Sequence, residues 1–258
     1  MATSKRLGYG GSASIGGTQL LITGGSFDYA RTVSYLNMIR TPPSATMAGR
    51  VQHADGIKDY TGSLSFDVHD GAMALFGTTA LLGRYYEFTV GINDGVNDWK
   101  MEKCKATSVT VSGAVGGVVS AQVSFLAKTA KVAGGTPNAF IRDTAIPLGY
   151  WYTGGGSSDN IRDWSLTMAQ EAQLVYRNED SMDPGYIKVG LVSYVLSVTS
   201  YNSITAPASI NIGTSSFTLT GNTTGSGFSY GGITDVGSYS YTFETSSSTG
   251  KSNAVVIT

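Results

Sequence analysis

The stretch Ser26 to Ile39, SFDYARTVSYLNMI, alternates apolar and polar side chains with a period of two, which is typical of a half-buried β-strand. One face would be apolar apart from Arg31 and Asn37, and it carries Phe27, Tyr29, Val33, Tyr35 and Ile39. The opposite face would be small and polar, and it carries Asp28, Ala30, Thr32 and Ser34. The stretch therefore predicts a long strand with one buried face and one wet face.

The same arrangement returns in the second half of the chain, where residues 163–176 read DWSLTMAQEAQLVY. The apolar face of this second strand carries Trp164, Leu166, Met168, Ala172, Leu174 and Tyr176. Its polar face carries Asp163, Ser165, Thr167, Glu171 and Gln173. A long amphipathic strand thus occurs twice, which predicts that a whole unit is repeated.

Composition favours a mainly β protein and argues against several functional classes. Only 14% of the 258 residues are charged and 34 are glycine, which suits a sandwich or barrel better than a helical bundle. The formal net charge of -1 argues against tight nucleic-acid binding, because neutralising phosphates requires an excess of Lys and Arg. The single cysteine, Cys104, cannot form an internal disulfide. The sequence shows no signal peptide and no membrane span, so we expect synthesis in the cytoplasm.

We predict two tandem β-sandwich domains, each built on a long antiparallel hairpin. The predicted segments are a flexible N-terminal arm over residues 1–17, a first domain over 18–130, a linker over 131–145, a second domain over 146–245 and a C-terminal tail over 246–258. In the first domain we expect a loop from Arg40 to Tyr60, a return strand from Gly62 to Val68 and a short α-helix from Asp70 to Leu82. In the second, the strand Tyr186 to Ser200 would complete the hairpin, and the order of elements repeats after about 125–130 residues.

Patterns that carry catalysis or bind metals are missing from the sequence. The two histidines, His53 and His69, are too few for a three-His zinc site and lie in no HExxH spacing. The chain has no GxSxG nucleophile motif and no GxxxxGK[ST] phosphate loop. Residues 92–99, INDGVNDW, predict a hairpin turn, because they lack the spacing of a calcium-binding EF-hand loop. We therefore expect no enzymatic activity, no cofactor and no metal site.

The long amphipathic strand, the loop after it, the return strand and the short helix together resemble the tail tube proteins of long-tailed bacteriophages. In that family, hexameric rings stack into a hollow tube, and the inner sheets join into a continuous barrel through which DNA passes. Members with two tandem tube domains form pseudo-hexamers from three chains. The resemblance implies a structural protein of the virion tail, assembled as trimeric rings, with a weak preference for a non-contractile tail.

The resemblance also assigns roles to residues and names partners. The polar strand face would line the channel, where hydroxyls and carboxylates offer DNA phosphates no cationic partner: the predicted lumen residues are Asp28, Thr32, Ser34, Ser65, Asp67, Asp163, Ser165, Thr167 and Glu171. The long loop would contact the neighbouring ring: the predicted residues are Arg40, Pro42, Pro43, Met47, Arg50, His53, Asp55, Lys58 and Tyr60. Other tail proteins, such as the tape measure and the tail terminator, would be partners, and DNA would pass without specific binding.

Two alternatives remain open. The chain would suit a β-sandwich that decorates a virion and binds carbohydrate, with Tyr150, Trp151 and Tyr152 stacking on sugars. A terminator or distal tail protein would also form rings but would not polymerise. The bare fold argument also allows the polar strand face to be an ordinary solvent-exposed surface.

Overall fold

The structure of the protein is a computed structural model. It describes residues 12–36, 52–76, 81–83, 85–93, 98–114, 116–133, 161–176, 183–201, 209–212, 215–219, 222–229, 238–247 and 255–257.

The described residues form a mainly β protein, as predicted from the composition. The strands are β1 (Ser12–Ile15), β2 (Thr18–Leu36), β3 (Gln52–Asp67), β4 (Phe88–Asn93), β5 (Asp98–Ala114), β6 (Ser120–Leu126), β7 (Thr129–Ala133), β8 (Ile161–Val175), β9 (Tyr186–Ser200), β10 (Ser209–Ile212), β11 (Ser215–Leu219), β12 (Asn222–Ser229), β13 (Ser238–Ser247) and β14 (Val255–Ile257). One 3-10 helix, Asp70–Phe76, follows β3.

The first six strands close into an antiparallel barrel. The hydrogen-bonded order is β1-β2-β3-β6-β5-β4, and β4 returns to β1 to complete the circle. Each of the six strands has a neighbour on both sides, although β2 pairs with β1 only at Thr18–Leu20 and with β3 alone beyond that. The predicted sandwich thus takes the form of a closed barrel in the first half of the chain.

β5 joins this barrel to the second half of the chain. Its first part pairs with β4 and β7, and its second part pairs with β6 on one edge and β8 on the other. A continuous series of eight hydrogen-bonded strands results, which we call the long sheet: β2-β3-β6-β5-β8-β9-β13-β12. The strands β10, β11 and β14 form a separate three-stranded sheet.

The two halves of the long sheet repeat the same strand order and the same irregularities. The hairpin β2–β3 has bulges between Ile22 and Gly24 and between Arg31 and Val33. The hairpin β8–β9 has bulges with the same spacing, between Ile161 and Asp163 and between Gln170 and Ala172. A third pair matches as well: the β5–β6 ladder shifts between Ala106 and Ser108, and the β12–β13 ladder between Thr223 and Gly225. Strands β2, β3, β6 and β5 therefore correspond to β8, β9, β13 and β12.

The apolar faces of both halves share one core. Its members include Leu64, Phe66, Val109 and Val123 from the first half, and Leu166, Met168 and Leu196 from the second, all at most 2% exposed. The segment after β3 packs into this core, with Phe76 stacked on Phe66 at a centroid distance of 6.2 Å. At Gly62 the backbone makes room for Phe125, because a Cβ there would lie 2.4 Å from the Phe125 ring. Burial of these side chains stabilises the two halves together.

Two buried hydrogen bonds fasten the second half to the first. The Tyr194 hydroxyl on β9 donates to the backbone carbonyl of Leu82, 2.5 Å away. The Gln170 side chain on β8 donates from Nε2 to the carbonyl of Ala106 at 3.2 Å, beside the bulge in β5. Buried carbonyls of this kind are costly to leave without a donor, so both contacts fix the position of the β8–β9 hairpin against the barrel.

Several predicted segments need correction. The arm over residues 1–17 is wrong at Ser12–Ile15, which form the buried strand β1. The linker over 131–145 begins too early, since β7 extends to Ala133, and the tail over 246–258 includes β14, which pairs with β11. The predicted α-helix Asp70 to Leu82 is a 3-10 helix that ends at Phe76, because the local hydrogen bonds are tighter than those of an α-helix. Its apolar residues are nevertheless buried: Met73, Leu75, Phe76, Leu81 and Leu82.

Replacing Tyr194 with Phe should destabilise the protein by about 1–3 kcal/mol, because the buried Leu82 carbonyl loses its donor. The matched control is Tyr201→Phe, whose side chain is 39% exposed and should change the free energy of unfolding by less than about 0.5 kcal/mol. Chemical denaturation measures both variants. If the Tyr194→Phe and Tyr201→Phe variants had the same free energy of unfolding, the Tyr194 hydrogen bond would not stabilise the contact between the two halves.

Candidate functional site

The most distinctive surface of the described residues is the polar face of the long sheet. Along β3, β5, β6, β8 and β9, buried apolar residues alternate with half-buried or exposed ones. One row of directly opposed residues on this face crosses six neighbouring strands, β3, β6, β5, β8, β9 and β13: Asp67, Ser120, Ser112, Ser165, Ser197 and Thr242. A second row crosses β2, β3, β6 and β5: Ser26, Ser63, Ser124 and Ser108. Hydroxyl groups thus form continuous lines across strand boundaries.

Neighbouring hydroxyls on this face lie within hydrogen-bonding distance. The Oγ atoms of Ser26 and Ser63 are 3.1 Å apart across the β2–β3 boundary, and those of Ser112 and Ser120 are 3.4 Å apart across β5–β6. Across the junction between the two halves, Thr110 Oγ1 lies 3.3 Å from Thr167 Oγ1. A hydroxyl is both donor and acceptor, so such a surface can hydrogen-bond to itself or to water without carrying charge.

Six pairs of corresponding positions carry a hydroxyl residue in both halves. Aligned through the matching bulges, the pairs are Ser26 and Ser165, Ser63 and Ser197, Ser65 and Thr199, Ser112 and Ser229, Ser120 and Ser238, and Ser124 and Thr242. At other positions of the polar face the two halves differ, since Ser108 corresponds to Gly225 and Thr110 to Gly227. On the core side Leu64 corresponds to Val198 and Val123 to Tyr241, while Tyr60 corresponds to another buried tyrosine, Tyr194. Core packing tolerates such apolar exchanges, whereas a repeated hydroxyl pattern on a wet face calls for a reason other than packing.

The charged groups that were predicted for this face are carboxylates. Asp28 and Glu171 are exposed, and Asp67 and Asp163 are partly exposed. Partial burial raises the pKa of Asp67, because desolvation disfavours the charged form. The Arg162 side chain lies 3.9 Å from the Asp163 carboxylate, so that charge is partly compensated. Hydroxyls and separated acidic groups therefore share this face with Lys188, which is exposed on β9 opposite Gln173.

Seven of the nine predicted lumen residues lie on one face of the long sheet. Ser65 and Asp67 of β3, and Asp163, Ser165, Thr167 and Glu171 of β8, follow the two-residue period of this face, and Asp28 of β2 stands opposite Thr61. Thr32 and Ser34 belong to β2, but their side chains lie outside what the structure describes. Sequence reasoning missed Ser63, Thr110, Ser120, Ser124 and Ser197. Period-two alternation would have indicated each of them once its strand was recognised.

The residues predicted to contact a neighbouring ring are only partly described. Arg40, Pro42, Pro43, Met47 and Arg50 lie outside the described residues. The predicted loop is wrong at His53, Asp55, Lys58 and Tyr60, because β3 already begins at Gln52. This error arose because the Gly56 bulge and the mixed charges of residues 52–59 hide the alternation of a strand.

Two of these residues make contacts inside the chain. Tyr60 is 7% exposed, and its hydroxyl donates to Asp183 at 2.7 Å. Lys58 Nζ lies 3.4 Å from the same carboxylate. Nearby, the Tyr176 hydroxyl donates to the Asp59 carboxylate, and burial together with this carboxylate raises the pKa of Tyr176. These groups tie the end of the β8–β9 hairpin to β3.

A short repeated motif also escaped the sequence reasoning. Residues 56–60, GIKDY, correspond to residues 190–194, GLVSY, and in both the Gly and the following aliphatic residue form the second bulge of the hairpin. Ile57 is 41% exposed and Leu191 is 58% exposed. The repeated Gly-aliphatic-x-x-Tyr spacing was the sequence signal that could have located the correspondence directly.

Within the described residues there is no group of three or more His, Cys, Asp or Glu side chains that could hold a metal ion. His69 is 3% exposed, and its Nε2 lies 2.9 Å from the Gln19 carbonyl. Asn93 donates to Asp98 at 2.6 Å across the ends of β4 and β5, which is the polar contact expected beside a hairpin turn. No described helix has the length and apolar character needed to cross a membrane. The side-chain contacts described on the polar face include hydrogen bonds between hydroxyl groups.

Comparison of the sequence with models of protein families found no match, and comparison with curated proteins found none either.

Replacing Asp67 with Asn should raise the melting temperature slightly at pH 7 and leave it unchanged near pH 3. The raised pKa means that the folded state favours the protonated acid, so the native carboxylate lowers stability as the pH rises above the usual value of 3.8. Near pH 3 the acid is largely protonated in both states, and the cost disappears. Thermal unfolding of both proteins at the two pH values measures this. An equal rise in melting temperature at pH 7 and at pH 3 would contradict desolvation of the carboxylate as the cause.

Proposed function

We propose that the protein is a structural component of a bacteriophage tail tube, in which three chains form a ring and rings stack into a conduit for DNA. The observation that carries the proposal is the long sheet, whose two corresponding halves present one continuous hydroxyl face. An ordinary solvent-exposed face would not require hydroxyls at corresponding positions of both halves.

The matched bulges support a tandem duplication of one tube domain. Each half contributes four strands in the same order to the long sheet, and three ladder irregularities coincide in register. Bulges arise from single-residue insertions, and their independent appearance at corresponding places in both halves is improbable. If each half is one tube domain, the observed β5–β8 contact is equivalent to the contact between neighbouring subunits in a ring of six single-domain chains.

Ring closure by three chains agrees with this arrangement. The resemblance to tail tube proteins implies six domains in a ring, and a tandem chain supplies two of them. An open sheet of eight strands has two free edges, and a closed ring removes both. The same closure would turn the polar face of the long sheet into the wall of a channel.

A wall of hydroxyls with separated carboxylates suits passage of DNA. DNA is held mainly by cationic side chains that neutralise its phosphates and release counterions. Ser, Thr and Asp side chains do not provide that attraction, and Asp28, Asp67, Asp163 and Glu171 would repel phosphates at short range. DNA would therefore slide along a hydrated surface.

The proposed partners follow from the tube. Other tail proteins, such as the tape measure and the tail terminator, are the proposed partners. Contact with the next ring is proposed for the segment between β2 and β3, residues 37–51, which includes Arg40, Pro42, Pro43, Met47 and Arg50.

Electron microscopy of the purified protein tests the proposal directly. We expect rings with a central channel and threefold symmetry, and stacked tubes at higher protein concentration. Single rings that never stack would indicate a terminator or distal tail protein. Monomers that bind to a glycan array would support the carbohydrate-binding alternative and contradict the tube.

Converting the polar face to a cationic one should make assembled tubes retain DNA. We expect a variant with Asp28→Lys, Asp67→Lys and Asp163→Lys to cosediment with short double-stranded DNA at low salt and to release it as salt rises, because counterion release drives such binding. The matched control has Asn at the same three positions, which removes negative charge without adding positive charge. Intact Lys-substituted tubes that retain no more DNA than the Asn control would show that this face does not line the channel.

A further inference from the structure

Two strand edges of the long sheet have no partner in the part of the chain that the structure describes. β12, at one end, pairs only with β13. β2, at the other end, pairs with β3 from Leu21 to Leu36, and with β1 only at Thr18–Leu20. Each edge presents a row of backbone N–H and C=O groups that a further strand can satisfy.

The chain contains an example of how these two edges fit together. β12 corresponds to β5 and β2 corresponds to β8, and β5 and β8 pair antiparallel from Ser108 to Ala114. The edge of β5 that β8 covers corresponds to the free edge of β12. Likewise, the edge of β8 that β5 covers corresponds to the free edge of β2. The junction inside the chain therefore predicts the geometry of a junction between chains.

We propose that β12 of one copy pairs antiparallel with β2 of a second copy in the register that β5 makes with β8. Transferring that register through the matching bulges places Ser229 opposite Ser26, and Gly227 opposite Asp28. The partner is thus a second copy of this chain, and the contact is heterologous, so repetition of the same step closes a ring or continues as an open helix. The inference rests on the proposed ring and specifies its contact at the level of single residues.

The side chains at the two junctions agree. Inside the chain, the hydroxyl row that crosses the β5–β8 junction consists of Ser120, Ser112, Ser165, Ser197 and Thr242. At the proposed junction, the corresponding row consists of Ser238 and Ser229 of one copy, followed by Ser26, Ser63 and Ser124 of the next. Every position in the first row carries a hydroxyl in the second. This row of hydroxyls would therefore continue from one copy to the next, while the neighbouring Thr110–Thr167 pair would be replaced by Gly227 and Asp28.

The register is tested by disulfide formation between engineered cysteines. Directly opposed residues of antiparallel strands bring their Cβ atoms within the range that a disulfide requires. The variant Ser26→Cys with Ser229→Cys should give covalent species of two and three chains on a non-reducing gel after mild oxidation, and a reductant should abolish them. The native thiol does not interfere, because Cys104 is fully buried and burial raises its pKa to about 12.

Three further variants make the result decisive. Ser112→Cys with Ser165→Cys is the positive control, since these residues are opposed within the chain and should form an intramolecular disulfide. Thr32→Cys with Ser229→Cys keeps a cysteine on β2 but lies about 20 Å out of register, and should link poorly. Asp28→Cys with Gly227→Cys repeats the test at the neighbouring opposed pair, in case one pair disturbs folding.

The outcomes separate this inference from the proposed function. Interchain bonds confined to the two in-register pairs support the inference. Two outcomes would overturn the register but not the tube, provided that rings are seen by microscopy. In the first, only the Thr32 pair forms interchain disulfides efficiently. In the second, neither in-register pair does so, although the internal control forms its disulfide. Linked chains that form no channel would support the strand pairing and contradict the tube. A protein that stays monomeric without crosslinks at assembly concentrations would overturn both.

Discussion

The backbone ladder between β5 and β8 is the interaction on which the rest of the structure depends. It joins a closed barrel to a second set of strands, and without it the long sheet would end at β5 with an open edge. Backbone hydrogen bonds give a ladder little sequence specificity, so its register is set by the side chains on either face. Here Val109 stands opposite Met168 on the core side, and Thr110 opposite Thr167 on the polar side. A slip of one residue would exchange the two faces.

The bulges maintain this separation of faces over very long strands. Both hairpins include two irregularities, and each one shifts the phase of one strand against its partner. At the second irregularity, Gly56 in one hairpin and Gly190 in the other accept the local bend, and the alternation continues beyond it. Long sheets also twist, and bulges increase twist locally, which favours a curved wall over a flat one. Curvature is the property that a sheet needs if it is to line a channel.

The core accounts for several differences between the two halves of the long sheet. The first half closes on itself as a barrel, while the second packs its apolar face against the barrel and the segment around Leu82. Large residues such as Tyr194 and Trp164 fill space in the second half. Apolar packing can be satisfied by many combinations of side chains, whereas a continuous hydroxyl row depends on each of its members. This difference fits the pattern of changed core positions and repeated Ser and Thr positions.

The sequence by itself determined the mainly β class, the two long amphipathic strands and part of the polar face, because a period of two is a local property that any strand obeys. It also marked Arg31 as one of two polar residues on an apolar strand face. The residue at the corresponding position of the second hairpin, Gln170, is buried and donates a hydrogen bond to the Ala106 carbonyl. Only the tertiary structure decided that the first strands close as a barrel, that β3 extends through residues 52–60 and that β5 pairs with β8. Those outcomes depend on which edges meet and where single-residue bulges fall, and edge pairing is a contact between distant segments that alternation within one strand does not specify.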